Sequence, residues 1–288
     1  MPIPVYGDHG VALSGEFEEY EINNRADYHL SWYSKRVESL KRYNKKKIIH
    51  ITHPWVIYRK MAGYNLRENA KGTIVFYPHS TPTDEIIDYD WDSYFLELKS
   101  LDTNYKPIVI CMHRHDVVKG YHKNIRKYEV PIVSAGEPSS PLFVDRFYDI
   151  VSNFRYATSP TGGSELFYCE EMGIRYFIFG KEPIYHNFSH PQNPLGVLRP
   201  KDEVAVIANE IKRNLFSNLP PKDDFRKQQF VSDVLGLDLD HLATAKVLRK
   251  IFIFETIRLL PIIFQIAITK LLIKVLIKAK RLVLNIRN

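Results

Sequence analysis

After residue 70 the chain alternates short, continuously apolar runs with stretches of helical periodicity, and few folds accept such an order. Thr73–Tyr77 (TIVFY), Pro107–Met112 (PIVICM), Val130–Ser134 (VPIVS), Phe154–Ala157 and Ile174–Phe179 (IRYFIF) read as strands. Trp91–Lys99, Val117–Lys127, Leu142–Ser152 and Ser164–Met172 read as the helices between them. A strand that is apolar on both faces has to be covered on both faces, which helices flanking a parallel sheet achieve. The pattern predicts an α/β, Rossmann-like domain over residues 71–190, with ligands bound beyond the carboxyl ends of its strands.

The flanking segments are different in kind. Residues 1–70 offer a short strand ending at Gly7, an alternating segment Ala26–Trp32, a helix Ser34–Tyr43 and a strand Ile48–Thr52 running into His53-Pro54. They read as the last third of an α/β domain whose beginning is absent or very reduced. Residues 191–244 are punctuated by Pro191, Pro194, Pro200, Pro220 and Pro221, with one helical run at Glu203–Phe216, and read as a wrap-around segment.

Residues 245–288 form a tail that explains the net charge of +7. From Lys246 onward ten Lys/Arg face one acid, Glu255, which leaves the preceding 245 residues at −2. A nearly neutral body argues against nucleic acid as the partner. The longest charge-free run of the tail, Leu259–Thr269, has eleven residues, short of the roughly 20 that span a bilayer. Lys270, Lys274, Lys278 and Arg281 recur on one helical face among leucines, isoleucines and valines. This predicts an amphipathic helix lying on an anionic membrane surface. No apolar secretory segment opens the chain, and Cys111 and Cys169 sit in apolar runs outside any metal spacing. The expectation is a cytoplasmic protein with reduced thiols, peripheral on the inner face of the cell membrane.

The strand ends carry the chemistry. Ser159-Pro160-Thr161-Gly162-Gly163-Ser164-Glu165 joins a strand to a helix, where glycines admit a diphosphate and the helix N-terminus supplies unpaired N–H groups. An ordinary capped turn has the same composition. His79, Ser80 and Thr81 follow Thr73–Tyr77, His113 and Arg114 follow Pro107–Met112, and Glu137 follows Val130–Ser134. These suit phosphate and ribose contacts. His9, beside Asp8 and Gly10, is the candidate general base. Adjacent histidines at one strand end make poor metal ligands, so no metal is expected.

In that order the features resemble bacterial surface-polysaccharide glycosyltransferases of GT-B type, from capsule and lipopolysaccharide O-antigen synthesis. They are also distantly similar to CDP-glycerol glycerophosphotransferases. Asp8-His9-Gly10 looks like the histidine–glycine element near the acceptor in those enzymes. Ala26-Asp27 with Leu30-Ser31-Trp32, and Thr52-His53-Pro54, look like two of their strands. His113 falls where they often show histidine–proline, with Arg114 in place of the proline. Tyr148–Gly180 looks like their donor-binding strand–turn–helix–strand. The resemblance implies a metal-independent glycosyltransferase. A nucleotide-activated sugar would be co-substrate rather than cofactor, held by His79, Ser80, Thr81, His113, Arg114, Glu137, Ser159, Thr161, Gly162, Gly163, Ser164 and Glu165. His9 or Asp8 would act as base on a lipid-linked saccharide acceptor. Most of the first GT-B domain has no counterpart here, which implies either a partner chain completing it or a split or degenerate member of the family. The alternative is a non-catalytic or split subunit that binds sugar nucleotide or a partner transferase.

Overall fold

The computed structural model describes residues 5–16, 26–43, 47–80, 84–187 and 203–240, with Glu21, Asn23 and part of residues 244–257 besides. Residues 1–239 form one compact unit and residues 240–288 another. The membrane-surface tail expected over 245–288 lies largely outside the described residues. Among those described, no helix is long and apolar enough to cross a membrane.

Two sheets contain only parallel pairs. The smaller has the order β1-β2-β3, with β1 at Val5–Gly7, β2 at Tyr28–Ser31 and β3 at Lys47–His50. Helix α1, Ser34–Tyr43, crosses from β2 to β3. The larger sheet comprises β4 (Thr73–Phe76), β6 (Ile108–Cys111), β7 (Ile132–Val133), β8 (Tyr156–Ser159) and β9 (Arg175–Ile178). Its order is β7-β6-β4-β8-β9, all parallel. The order reverses between β4 and β8, and such a switch point opens a crevice at the carboxyl ends of those two strands.

Burial follows the period of 2 along these strands. Ile74, Ala157 and Tyr176 point into one core, with Phe147 and Val151 of α6 (Phe143–Val151) and Leu166 and Phe167 of α7 (Ser164–Glu171). Val75, Ile110 and Phe177 point into the other, with Tyr94, Phe95 and Leu98 of α3 (Trp91–Ser100). The sheet is therefore covered on both faces, as its apolar strands demand.

Three local differences from the sequence expectation have physical causes. The single helix expected over Val117–Lys127 is two, α4 (Arg114–Val118) and α5 (Tyr121–Ile125), because Gly120 at φ 86° reverses the chain between them. His53-Pro54 opens a helix, α2 (Pro54–Ala62), with Pro54 in its first turn and the His53 side chain as cap. The wrap-around segment holds α9 (Phe225–Leu235), capped by Asp224 and Gly236, in addition to the expected α8 (Glu203–Phe216). A two-stranded antiparallel sheet, β5 (Asp84–Asp88) with β10 (Ile184–Asn187), stands apart from both parallel sheets.

The first 70 residues are tied to the rest by polar contacts. Arg59 of α2 makes a two-pronged ion pair with Glu171 of α7 at 2.7 and 2.8 Å, largely out of solvent. Thr52 Oγ1 donates to the Gly236 carbonyl at 2.8 Å, and the His53 amide donates to that of Leu235 at 2.9 Å. The end of α9 thereby rests on the carboxyl end of the smaller sheet.

Candidate functional site

The carboxyl ends of β4, β6 and β7 are joined by their own polar side chains. Buried Asp116 accepts at Oδ1 from the Ser80 amide at 3.1 Å and the Ser80 hydroxyl at 2.7 Å. The His79 ring stacks on that of His113 with centroids 4.8 Å apart, and His115 follows at 5.0 Å. Arg114 Nε meets Glu137 Oε2 at 2.7 Å, with both groups nearly half exposed. Desolvation and the neighbouring His79 and His115 push His113 down to about 4, so its ring is neutral at neutral pH. Burial pushes the Asp116 carboxyl up, and its Oδ2 has no hydrogen-bond partner among the described residues. His79, Ser80, His113, Arg114 and Glu137 are thus brought together, whereas Thr81 lies outside the described residues. Asp116, which sequence reasoning did not single out, is the member that fixes Ser80; its burial inside α4 is set by tertiary packing.

The turn from β8 into α7 is more self-contained. Ser159 is buried, and its Oγ accepts from the Gly162 amide at 2.8 Å and from the Tyr176 hydroxyl at 2.7 Å. Glu165 folds back so that Oε1 accepts from the Gly163 amide at 2.8 Å and from Tyr176 at 3.1 Å. The carboxylate thereby occupies the place where an anion would meet this helix N-terminus. Buried Lys212 of α8 donates to the Gly162 carbonyl at 2.9 Å, and desolvation pushes its ammonium down. Gly162 adopts φ 60°, and a Cβ there would lie 2.9 Å from Leu166 Cδ1. Thr161 is half-buried beside it.

The loop after β1 reaches this turn. The Val11 amide donates to Ser164 Oγ at 2.9 Å, and a Cβ on Gly10 (φ 59°) would lie 2.7 Å from the same oxygen. The Tyr168 hydroxyl of the same helix lies 3.0 Å from His53 Nε2. His53 Nδ1 accepts the Trp55 amide at 3.1 Å. Burial pushes His53 down to about 3, against smaller opposing effects of the Gly10 backbone and Asp8, so the ring stays neutral. The carboxyl ends of β1 and β3 therefore meet the first turns of α7.

His9 and Asp8, neighbours in sequence, have opposite surroundings. His9 is exposed on the loop that meets Ser164. Asp8 is buried, with Oδ1 2.6 Å from His29 Nε2 and 3.0 Å from Arg36 Nε, and Oδ2 accepting from Ser31 Oγ at 2.5 Å. Arg36 also holds both oxygens of Glu21 and the carbonyls of Ser14 and Glu16. Asp8, Glu21 and His29 lie within metal-binding reach of one another, but the Arg36 guanidinium already supplies the positive charge they share. Asp8 is thus held among buried partners, and of the pair only His9 is exposed. Both thiols are unbridged; Cys169 is buried and Cys111 half-buried, with burial pushing Cys111 up to about 12.

Fold and site together define an α/β protein with two parallel sheets, whose larger sheet has a switch point between β4 and β8 and gathers His79, His113 and Arg114 at its carboxyl end. Compared with protein-family models and with curated proteins, the chain matches none.

Proposed function

We propose that the chain is a glycosyltransferase of GT-B type, moving a sugar from a nucleotide-activated donor to a lipid-linked saccharide in surface-polysaccharide synthesis. The observation that carries this reading is the meeting of two parallel sheets at their carboxyl ends, where the Val11 amide bonds Ser164 Oγ at 2.9 Å. The donor's diphosphate lies at the crevice between β4 and β8, within reach of Arg114 and of His79 and His113. Charge developing on the leaving diphosphate is met there by preorganised donors. Neutral His113 gives one N–H without repelling a second cation, while Arg114 exchanges Glu137 for phosphate oxygens. His9, on the opposing loop, takes the proton of the acceptor hydroxyl. The basic tail holds the protein where a lipid-linked acceptor lies.

One observation favours the non-catalytic alternative, a subunit that binds sugar nucleotide without transfer. The α7 N-terminus is already satisfied by Glu165, so a donor displaces that carboxylate or sits nearer β4 and β6. Calorimetric titration with UDP-, GDP-, CMP- and CDP-linked sugars tests the shared premise. One of them binds saturably, and Arg114→Gln weakens it about tenfold through the loss of one charge-assisted contact. Failure of all four to bind removes both readings.

A further inference from the structure

We propose that the opposite, amino edge of the larger sheet carries a second anion site, where Arg67, Arg155 and Arg175 line one cavity and bind a phosphorylated group. The cavity measures about 370 Å³ and is lined by these arginines with Leu66, Glu68, Ala70 and Gly173. Arg175 opens β9, Arg155 immediately precedes β8, and Arg67 lies on the segment leading to β4. Neighbouring backbones fix them. The Arg175 amide donates to the Arg155 carbonyl at 3.2 Å, and the Arg67 amide donates to that of Ser152 at 3.1 Å.

Three guanidiniums around one space repel one another, and Glu68 is the only carboxylate in the lining. Asp149, 3.5 Å from Arg67, and Asp223, 2.7 Å from Arg175, offset two of them from outside that lining. Arg155 is exposed and forms no ion pair among the described residues. An anion in the cavity gives Arg155 a partner. Several planar forks suit the tetrahedral oxygens of phosphate better than one flat carboxylate. The space is wide enough for a pyrophosphate or for the glycerophosphate head of a lipid, and the two share the recognised chemistry. The strands separate this site from the carboxyl-edge crevice by about 13 Å, four residues at the usual rise. It is therefore independent of the proposed transferase site.

Two arms test the site on the full-length chain and separate the sources. The first titrates inorganic pyrophosphate calorimetrically into the unaltered protein, Arg155→Gln, Arg155→Lys and Arg114→Gln. The second compares sedimentation of the same proteins with phosphatidylglycerol/phosphatidylcholine vesicles and with phosphatidylcholine alone. Arg155→Gln is expected to weaken binding about tenfold in one arm, with Arg155→Lys intermediate because charge survives without the fork. Arg155 is exposed, and an unchanged melting temperature confirms that the variant folds. Loss in the titration assigns the site to a soluble phosphate, and loss confined to vesicles assigns it to a lipid head. Binding untouched by Arg155→Gln in both arms, or abolished only by Arg114→Gln, overturns the proposal.

Discussion

Asp8 and His9 show how far one peptide bond separates two roles. Asp8 is the shared anion of a buried set with His29, Ser31 and Arg36, so removing its charge leaves Arg36 paired with Glu21 alone and takes an anionic acceptor from His29 and Ser31. Asp8→Asn is expected to cost about 3–5 kcal/mol in urea unfolding, the usual effect of breaking a buried pair from one side. A loss below about 1 kcal/mol would contradict the structural role. His53 makes a prediction about pH. Its ordinary value is 6.5 and the folded protein holds it at about 3, so below 6.5 the unfolded chain binds a proton that the folded chain refuses. Stability therefore falls as pH drops from about 6.5 towards 3, by up to about 1.4 kcal/mol per unit, and this histidine contributes no slope above that window. His53→Gln flattens the fall by up to one proton. An unaltered slope would mean that the ring is not held neutral in the core.

At the scale of elements, periodicity made the larger sheet legible: four of its five strands lie within the expected apolar runs, while β8 (Tyr156–Ser159) starts two residues later than the run Phe154–Ala157. The helices α1 and α8 likewise match their expected bounds. What escaped had other causes. The α4–α5 break depends on one left-handed glycine, and β5 pairs with a strand a hundred residues away, a contact that no local pattern encodes. The candidate site was partly legible for the same reason. Strand ends pointed to His79, His113, Arg114 and Glu137, whereas Asp116, Tyr176 and Lys212 reach their places only through tertiary packing. The join between the two halves rests on Ser164, which accepts the Val11 amide. Ser164→Ala is expected to cost about 1–3 kcal/mol and to speed hydrogen exchange at the Val11 amide. Unchanged protection of that amide would mean that the β1 loop is held by other contacts.

For the molecule as a whole, the smaller sheet is an integral part of the compact unit over residues 1–239. It brings an exposed histidine to a loop that touches the first turn of α7, while the residues proposed to hold the donor collect at the ends of β4, β6 and β7. The proposed base on one sheet and the proposed donor site on the other would affect different steps. The measurement that tests this is a paired one on His9→Ala: transfer rate to a lipid-linked acceptor, and calorimetric affinity for the nucleotide-sugar donor. The account predicts a rate loss of about 10²–10⁴-fold, typical of a missing general base, with donor affinity nearly unchanged. Full transfer by the variant, or a donor affinity that falls together with the rate, would contradict it.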